Sequence, residues 1–483
     1  MSKPSGGAPT IFWFRQDLRL SDNPALTAAL RPTADRSVIP IFIWAPSEEK
    51  PFSPGAASRV WLHESLTALA GALQAKGSRL VIRTGPTEQA LADLTAETGA
   101  RAVFWNRRYE PAVVERDARI AETLQRRGLV TAPADLPPAA LLFEPEALRT
   151  KDGRPFQVFT PFWRAALEQP APAEPLRAPT TIPPPLAWPA SHPLESLGLR
   201  PSIPWDGGIR EAWTPGEVGA RARLRYFLDH VLAEYGGERD RPDRDGTSRL
   251  SPHLHFGEVS PRQVWRAVQS EAARRSLDPG PFLRELGWRE FAHHVLHHFP
   301  HTATRPMRPA FAHFPWAKDP GSLRAWRRGQ TGYPMVDAGL RELWVTGFLH
   351  NRVRMVVASF LTKHLLLPWQ KGAHWFWDTL VDADLADNTM GWQWTAGSGV
   401  DAAPYFRIFN PVIQGTKFDP EGTYVKRWLP ALARLPPRYV HAPWTAPPEI
   451  LTAAGVRLGH DYPLPIVDHT WARARALAAM SKE

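Results

Sequence analysis

Two short segments concentrate the residues able to do chemistry. Gly246–Trp265 reads GTSRLSPHLHFGEVSPRQVW and holds two Ser-Pro pairs, Ser251-Pro252 and Ser260-Pro261. Serine at the N-cap with proline at the first helical position is a strong helix start. Two such starts, preceded by Thr247-Ser248, would gather hydroxyls and free backbone N–H groups into a cradle suited to phosphate. Two ordinary caps are the plainer reading. Val381–Trp394 reads VDADLADNTMGWQW and sets Asp382, Asp384, Asp387 and Asn388 ahead of Trp392 and Trp394. Paired carboxylates can serve acid–base hydrolysis, and three can hold a metal, but no further ligand stands at a metal spacing. Asp384 and Asn388 share a face if the segment is helical.

His293, His294, His297 and His298 show the i,i+4 spacing of two ligands on one helix face. No Glu completes an HExxH, and this spacing arises freely in helices, so metal is the minority reading. His253 and His255 read as packing or surface residues. In Tyr405–Pro411 (YFRIFNP), Arg407 among aromatic rings suits a phosphate beside a stacked base. A helix-end arginine lying over a hydrophobic core is the commoner arrangement.

The elements that position these residues divide in two. Over the first ~135 residues, apolar runs at Thr10–Arg15, Ser37–Ala45, Arg79–Thr84 and Ala102–Arg107 alternate with helical stretches at Asn23–Leu30, Ala57–Lys76, Thr87–Thr98 and Val113–Arg127. That alternation predicts an α/β domain with a mostly parallel sheet, and near-continuous apolar strands fit a sheet covered on both faces. No GxGxxG follows the first strand. Residues Gln169–Pro204 contain eleven prolines and predict an extended connection. From Trp213 onward apolar residues recur at three and four spacings, at Glu217–Tyr235, Pro261–Arg275, Pro281–His298, Val336–Phe348, Asn351–Leu366 and Ala373–Leu380. The expected division is an α/β domain at 1–135, a linker at 136–212 and a helical domain at 213–483.

Composition narrows the function classes. There are no cysteines among the 483 residues, which excludes disulfides, thiol nucleophiles and Cys-ligated zinc or iron–sulfur clusters. No apolar run reaches the ~18 residues of a membrane span, and Met1–Thr10 lacks a secretory apolar stretch, so a cytoplasmic protein is expected. Lys and Arg total 58 against 48 Asp and Glu, a net charge of +10 compatible with a polyanion such as nucleic acid. The 21 tryptophans exceed what packing asks for, because each buried indole N–H needs a partner. Stacking on bases or on a flat cofactor would use them.

Six segments in order resemble the cryptochrome/photolyase family: Phe14–Leu26 (FRQDLRLSDNPAL), Thr247–Ser260 (TSRLSPHLHFGEVS), Leu286–Phe291 (LGWREF), Gly332–Gly339 (GYPMVDAG), His350–Phe360 (HNRVRMVVASF) and Asp382–Pro411. The match runs from Thr10 to about Leu429 and is nearest the bacterial class I cyclobutane pyrimidine dimer photolyases. The resemblance implies a Rossmann-like α/β N-terminal antenna domain and an all-α FAD-binding C-terminal domain. It implies FAD contacts from Tyr235, Thr247, Ser248, Leu250 and Ser251. Arg289, Asp382, Asp384 and Asn388 would surround the isoalloxazine, with Asn388 at N5 and Arg354 ion-paired to Asp382.

The resemblance also implies a dimer pocket of Glu285, Trp288, Asn351, Met355 and Trp394, the two indoles stacking on flipped bases. Arg239, Arg352 and Arg407 match phosphate or rim positions. Trp392, Trp369 and Trp316 match an electron-transfer chain that photoreduces FAD. A Glu285 carboxyl kept protonated by burial would hydrogen-bond the dimer's carbonyl oxygens and steady its developing charge. Pairing within its own helix is the ordinary alternative. Asn351 and Met355 stand where (6-4) photolyases have histidines, Trp394 where DASH cryptochromes have Tyr, and Asn388 where plant cryptochromes have Asp.

A second antenna chromophore is left open among deazaflavin, methenyltetrahydrofolate and flavin. Tyr109–Val113 lacks the Asn-Glu pair of folate-binding relatives, and Ser53–His63 resembles deazaflavin-binding members. The implied activity is light-driven repair of pyrimidine dimers in DNA by a monomer. The alternative is a blue-light photoreceptor that signals through a protein partner.

Overall fold

The computed structural model describes residues 7–31, 37–133 and 135–480. Most of the N-terminal stretch read for a signal, 1–6, lies outside the described residues. Strands β1 (Thr10–Phe14), β2 (Val38–Trp44), β3 (Val81–Thr84), β4 (Ala102–Phe104) and β5 (Val130–Thr131) form one parallel sheet in the order β3-β2-β1-β4-β5. Register is set by Thr10 opposite both Val38 and Ala102. β1 is buried at every residue and β2 at all but Trp44, because helices cover both faces. Pro40 precedes the residues of β2 that pair with β3, where β2 is still an edge and a missing N–H is tolerated. Chain order reverses at β1, between β2 and β4, and an open sheet of this kind leaves a crevice beyond the strand ends there.

The proline-rich segment is extended, broken by a 3₁₀ turn at Leu194–Leu197, and it is strapped to the sheet domain. Pro183 O accepts from Val38 N, Lys76 O from Ile182 N and Ile82 O from His192 N, at 3.0 Å each. Ile182 is fully buried in the sheet domain's core.

The remainder is helical. Its helices include Pro261–Arg275, Gly280–His298, Pro334–Thr346, Asn351–Ser359, Trp369–Thr379, Leu385–Ala396 and His469–Met480. Two stretches expected as single helices are interrupted by π turns, Phe227–Val231 before Tyr235 and Phe360–His364 after Asn351–Ser359.

The loop after β1 welds the two halves together. Leu18 N donates to Phe256 O (3.1 Å), Arg19 to Gly257 O and Ala139 O (2.8 Å each), and Arg262 to Asp22 (2.7 Å). Trp61 Nε1 donates to the buried Glu258 at 2.9 Å.

Candidate active site

A cavity of about 570 Å³ opens among the helices. One side is Thr247–Ser251, where Arg223 holds the carbonyls of Thr247 and Ser248 at 2.8 Å. Ser251 does not cap its short helix, Ser251–His255. It is the first helical residue, and its hydroxyl donates to Asp382 (2.6 Å). Ser260 does cap Pro261–Arg275, in a capping box with Gln263, and its hydroxyl also meets Asp22. That hydroxyl is fully buried between the domains, so the expected double cradle reduces to one segment.

The opposite wall is the Leu385–Ala396 helix. Asp384 is its N-cap, accepting from Ala386 N (2.9 Å) and Asp387 N (3.1 Å). Asp382 receives Arg354 through both oxygens at 2.8 and 3.0 Å. These two carboxylates are engaged by caps and cations, which removes the hydrolytic reading of the acidic cluster. Asn388 donates from Nδ2 to Ala373 O (3.0 Å), while its Oδ1 is buried without a partner.

Behind this wall, His293 from Gly280–His298 faces Asp384 at 3.4 Å. Burial works against its charge, but Asp384 wins and raises the imidazole to about 9. Burial pushes the Asp384 carboxyl up, yet His293 and His255 hold it well below the usual range. His294 and His298 contact Pro145 O, and His297 pairs with Glu146 (3.2 Å). His294, His297 and His298 therefore pack against one another and the Pro145–Glu146 segment, apart from His293. His253 pairs with Glu258, and His255 lies 3.7 Å from Asp384, both buried.

The outer part of the cavity carries the other expected group. Trp288 stacks on Phe159, with centroids 3.7 Å apart, and lines the cavity with Asn351, Met355 and Trp394. Glu285 is a correction: it is not an isolated buried carboxyl but accepts from Arg239 at 2.5 Å, each side chain 27% exposed. Arg352 likewise donates to Asp240 (2.7 Å), so Arg239 and Arg352 are both paired with acids. Burial, with Glu285 next, pushes the Tyr235 phenol well up.

Arg407 is exposed in 401–410 and is not among the residues lining the cavity. Trp392 and Arg289 line the cavity. Trp392 and Trp369 are buried in one hydrophobic cluster with Trp316 against it. The aromatic contacts of Trp392 are Phe376 (5.0 Å) and Trp326 (6.2 Å), so the expected chain is not a run of touching indoles.

Sequence reasoning passed over Arg249. It sits at φ 51° inside the Thr247–Ser251 segment, with its guanidinium 4.4 Å from the Trp213 ring. Its Nε is buried and unpartnered, and burial lowers its pKa. A cation held this way among hydroxyls fits a phosphate-bearing ligand. The open Asn388 acceptor fits a ring N–H at the other end. The residues present therefore suit a flavin dinucleotide.

A second cavity, of about 300 Å³, lies at the strand-end crevice and is lined by Trp13, Arg15, Glu49, Arg108, Glu110 and Trp377 among others. Arg108 bridges Glu110 (2.8 Å) and Glu49 (2.9 Å). Burial opposes the Glu110 charge, but Arg108 holds its carboxyl down at about 2.

Comparison with known proteins agrees with this geometry. The family model of DNA photolyase matches residues 10–182, and that of the FAD binding domain of DNA photolyase matches 282–482. A deoxyribodipyrimidine photo-lyase of Agrobacterium fabrum is 49% identical over 475 residues, 98% of this chain and 97% of the relative. Cryptochrome-1 of Arabidopsis thaliana is 42% identical over 497 residues, 99% of this chain and 71% of that protein. A crystal structure described as a bacterial class III photolyase from Agrobacterium tumefaciens has a TM-score of 0.95 and 47% identity, covering 100% of both chains. The class printed for that structure, III, differs from the class I that the sequence motifs resemble. FAD is the cofactor of the helical half.

Proposed function

The chain belongs to the photolyase/cryptochrome family, and we propose that within it this protein repairs cyclobutane pyrimidine dimers in DNA by light. The observation that carries this reading is one continuous cavity with two chemistries. Arg249, Asp382–Arg354 and Asn388 suit the cofactor, and Trp288, Asn351, Met355, Trp394 and the Glu285–Arg239 pair suit a flipped dinucleotide. Arg249, the Arg354–Asp382 pair and Asn388 would hold FAD, which would supply the light-driven electron transfer that splits the cyclobutane ring.

The protein's part is to bind, orient and exclude water. A dimer stacks and pairs poorly in the duplex, so drawing it out costs less than for intact bases. Trp288 and Trp394 then replace the lost stacking. Asn351 and the Arg239-held Glu285 offer hydrogen bonds to base edges. The Arg354–Asp382–Ser251 chain ties the Asn351–Ser359 helix, the phosphate-end segment and the Leu385–Ala396 helix together, fixing the distance between the two occupants. Trp392, Trp369 and Trp316 would pass electrons inward to keep the flavin reduced. The strand-end cavity would take an antenna chromophore, its class open among deazaflavin, folate and flavin. The net charge of +10 would favour DNA binding that weakens with salt, by a monomer in the cytoplasm.

Similarity to Cryptochrome-1 favours a second reading, a photoreceptor that keeps FAD but signals through a partner. The deciding experiment irradiates dimer-containing oligonucleotide with blue light in the presence of chemically reduced protein, beside a dark control. Light-dependent loss of dimers is expected. Flavin-loaded protein that leaves every dimer intact would hand the site to the photoreceptor reading.

A further inference from the structure

Five arginines line the cavity, and four of them are engaged. Arg239 pairs with Glu285, Arg352 with Asp240 and Arg354 with Asp382, while Arg289 donates to Ala140 O at 2.6 Å. Arg249 alone has no hydrogen-bonding or acidic partner among the described residues, and its Nε is buried. The acids nearest to it are committed elsewhere. Asp245 holds Arg223 at 2.9 and 3.1 Å, and Glu342 accepts from Tyr424 at 2.6 Å. Burial lowers the Arg249 pKa, and Arg223 adds to this. A largely buried cation without a partner is costly unless something else offsets it.

Aromatic rings supply that offset. The guanidinium lies 4.4 Å from the Trp213 ring centroid and 5.3 Å from that of Phe348, and the two rings meet edge to face at 5.5 Å. A ring face attracts a cation without occupying its N–H donors, whereas a carboxylate occupies them. Arg249 is therefore held with its donors left for a ligand. Trp213 itself is not among the residues that line the cavity. It is the C-cap of the short helix Gly207–Ala212, and its Nε1 donates to Thr346 O at 2.8 Å. Its ring also packs edge-on, at 5.4 Å, against Trp61 of helix Ala56–Gln74 in the α/β domain.

We propose that Trp213 is a positioning residue for the cofactor's diphosphate: it holds Arg249 free of acids beside Thr247–Ser251, so that docking of the α/β domain helps set how tightly a flavin dinucleotide is bound. This rests on the FAD reading of the same cavity and deepens it, because part of the phosphate affinity is assigned to a residue outside the site. A guanidinium matches phosphate oxygens through paired N–H bonds, and that match is lost when the side chain swings away. The effect is selective. A flavin that carries no phosphate gains nothing from a correctly held Arg249.

The test titrates FAD, and separately riboflavin, into flavin-free full-length protein. Riboflavin has the same ring system without phosphate. In the parent, FAD affinity should fall with added salt and riboflavin affinity should not. Trp213→Leu should weaken FAD by about tenfold or more and leave riboflavin within about twofold. Trp213→Phe keeps a smaller ring face and should weaken FAD by about twofold or more, again without moving riboflavin. That variant decides the matter if Trp213→Leu does not fold. In an Arg249→Gln background, each Trp213 change should cost FAD less than about twofold. Equal weakening of both flavins, or a loss of FAD affinity retained in full beside Arg249→Gln, would make Trp213 a packing residue and overturn the proposal. A parent that holds both flavins alike at every salt concentration would overturn it too. A parent that takes up neither flavin would remove the cofactor reading of the cavity and this proposal with it. Dimer splitting by chemically reduced protein is measured on the same samples, so failure here is distinct from failure of the repair reading.

Discussion

Gly372 holds Trp392 in place by having no side chain. A Cβ added there would lie 2.6 Å from Trp392 Cζ2, and closer still to Cη2 and Cζ3. These atoms are the outer edge of the fused indole, beyond the reach of a Phe ring. Helix propensity alone would favour Gly372→Ala by about 1 kcal/mol. Overpacking of a filled core costs about 1–3 kcal/mol and opposes that gain. Without flavin the indole can relieve the clash by moving into the cavity it lines. With flavin bound that space is filled, so the penalty falls on the complex. If it falls there entirely, flavin affinity should drop by about 5- to 150-fold. The assay titrates flavin into apoprotein and follows its fluorescence. The control is a double-mutant cycle with Trp392→Phe, which removes the clashing atoms. Gly372→Ala should cost much less in that background, with a coupling of about 1–3 kcal/mol. Parental affinity in Gly372→Ala, or additive effects in the cycle, would refute this account of the Trp392 wall.

Two further outcomes are expected. Because Glu285 and Arg239 act as a pair, Glu285→Gln and Arg239→Gln should each lower repair yield per absorbed photon by about twofold or more, and the double variant should do no worse. Flavin content, read from the absorbance ratio, should not change. Lys363 is buried, and burial lowers its amine from 10.5 to about 6, while Nζ donates to Ala396 O (2.8 Å) at the end of the Leu385–Ala396 helix. Between pH 10.5 and 6 the unfolded chain binds a proton that the folded chain does not. Stability should therefore fall as pH falls through that window, by at most about 1.4 kcal/mol per unit. Lys363→Met should flatten the dependence in denaturant titrations at pH 6.5 and 9.

Much of this was readable from residue patterns because burial leaves a periodic mark. β1 and β2 were legible as continuous apolar runs, and Thr87–Thr98 and Pro261–Arg275 were legible to the residue. β5 was not, because two residues with an exposed Val130 give no periodic signal. The π turns were hidden for a related reason. They widen a helix by one residue without changing its apolar spacing enough to show.

At the site, the segments that line the cavity were legible, but the partner of each charge was not. Glu285 and Arg239 are 46 positions apart, and only folding reveals that they neutralise each other. Arg249 sat inside a motif already singled out, yet its importance lies in a left-handed backbone angle and an unpartnered nitrogen, neither of which residue type encodes. For Arg407 the aromatic neighbours in sequence do not tell that its side chain is exposed and outside the cavity.

The distribution of ion pairs gives the two cavities a common logic. At the strand-end crevice Arg108 pairs with both Glu49 and Glu110, and at the flavin wall His293 lies within reach of both Asp384 and Asp387. In each group a central cation offsets part of the cost of burying two carboxylates, while Glu110 and Asp384 repel where the groups meet. The helical half does not close this network alone. Arg108 and Glu110 come from the loop after β4, and the segment leading from Ser251 to Arg262 is pinned by the loop after β1 through Arg19 and Asp22. Gly257 permits that contact. It has φ 65°, and a Cβ there would strike the Gln16 carbonyl and lie 2.6 Å from Asp17 Cα. The α/β domain thus does more than offer a second crevice. It sets the electrostatics and the backbone position of the flavin wall, so the sheet and the helices form a single functional unit.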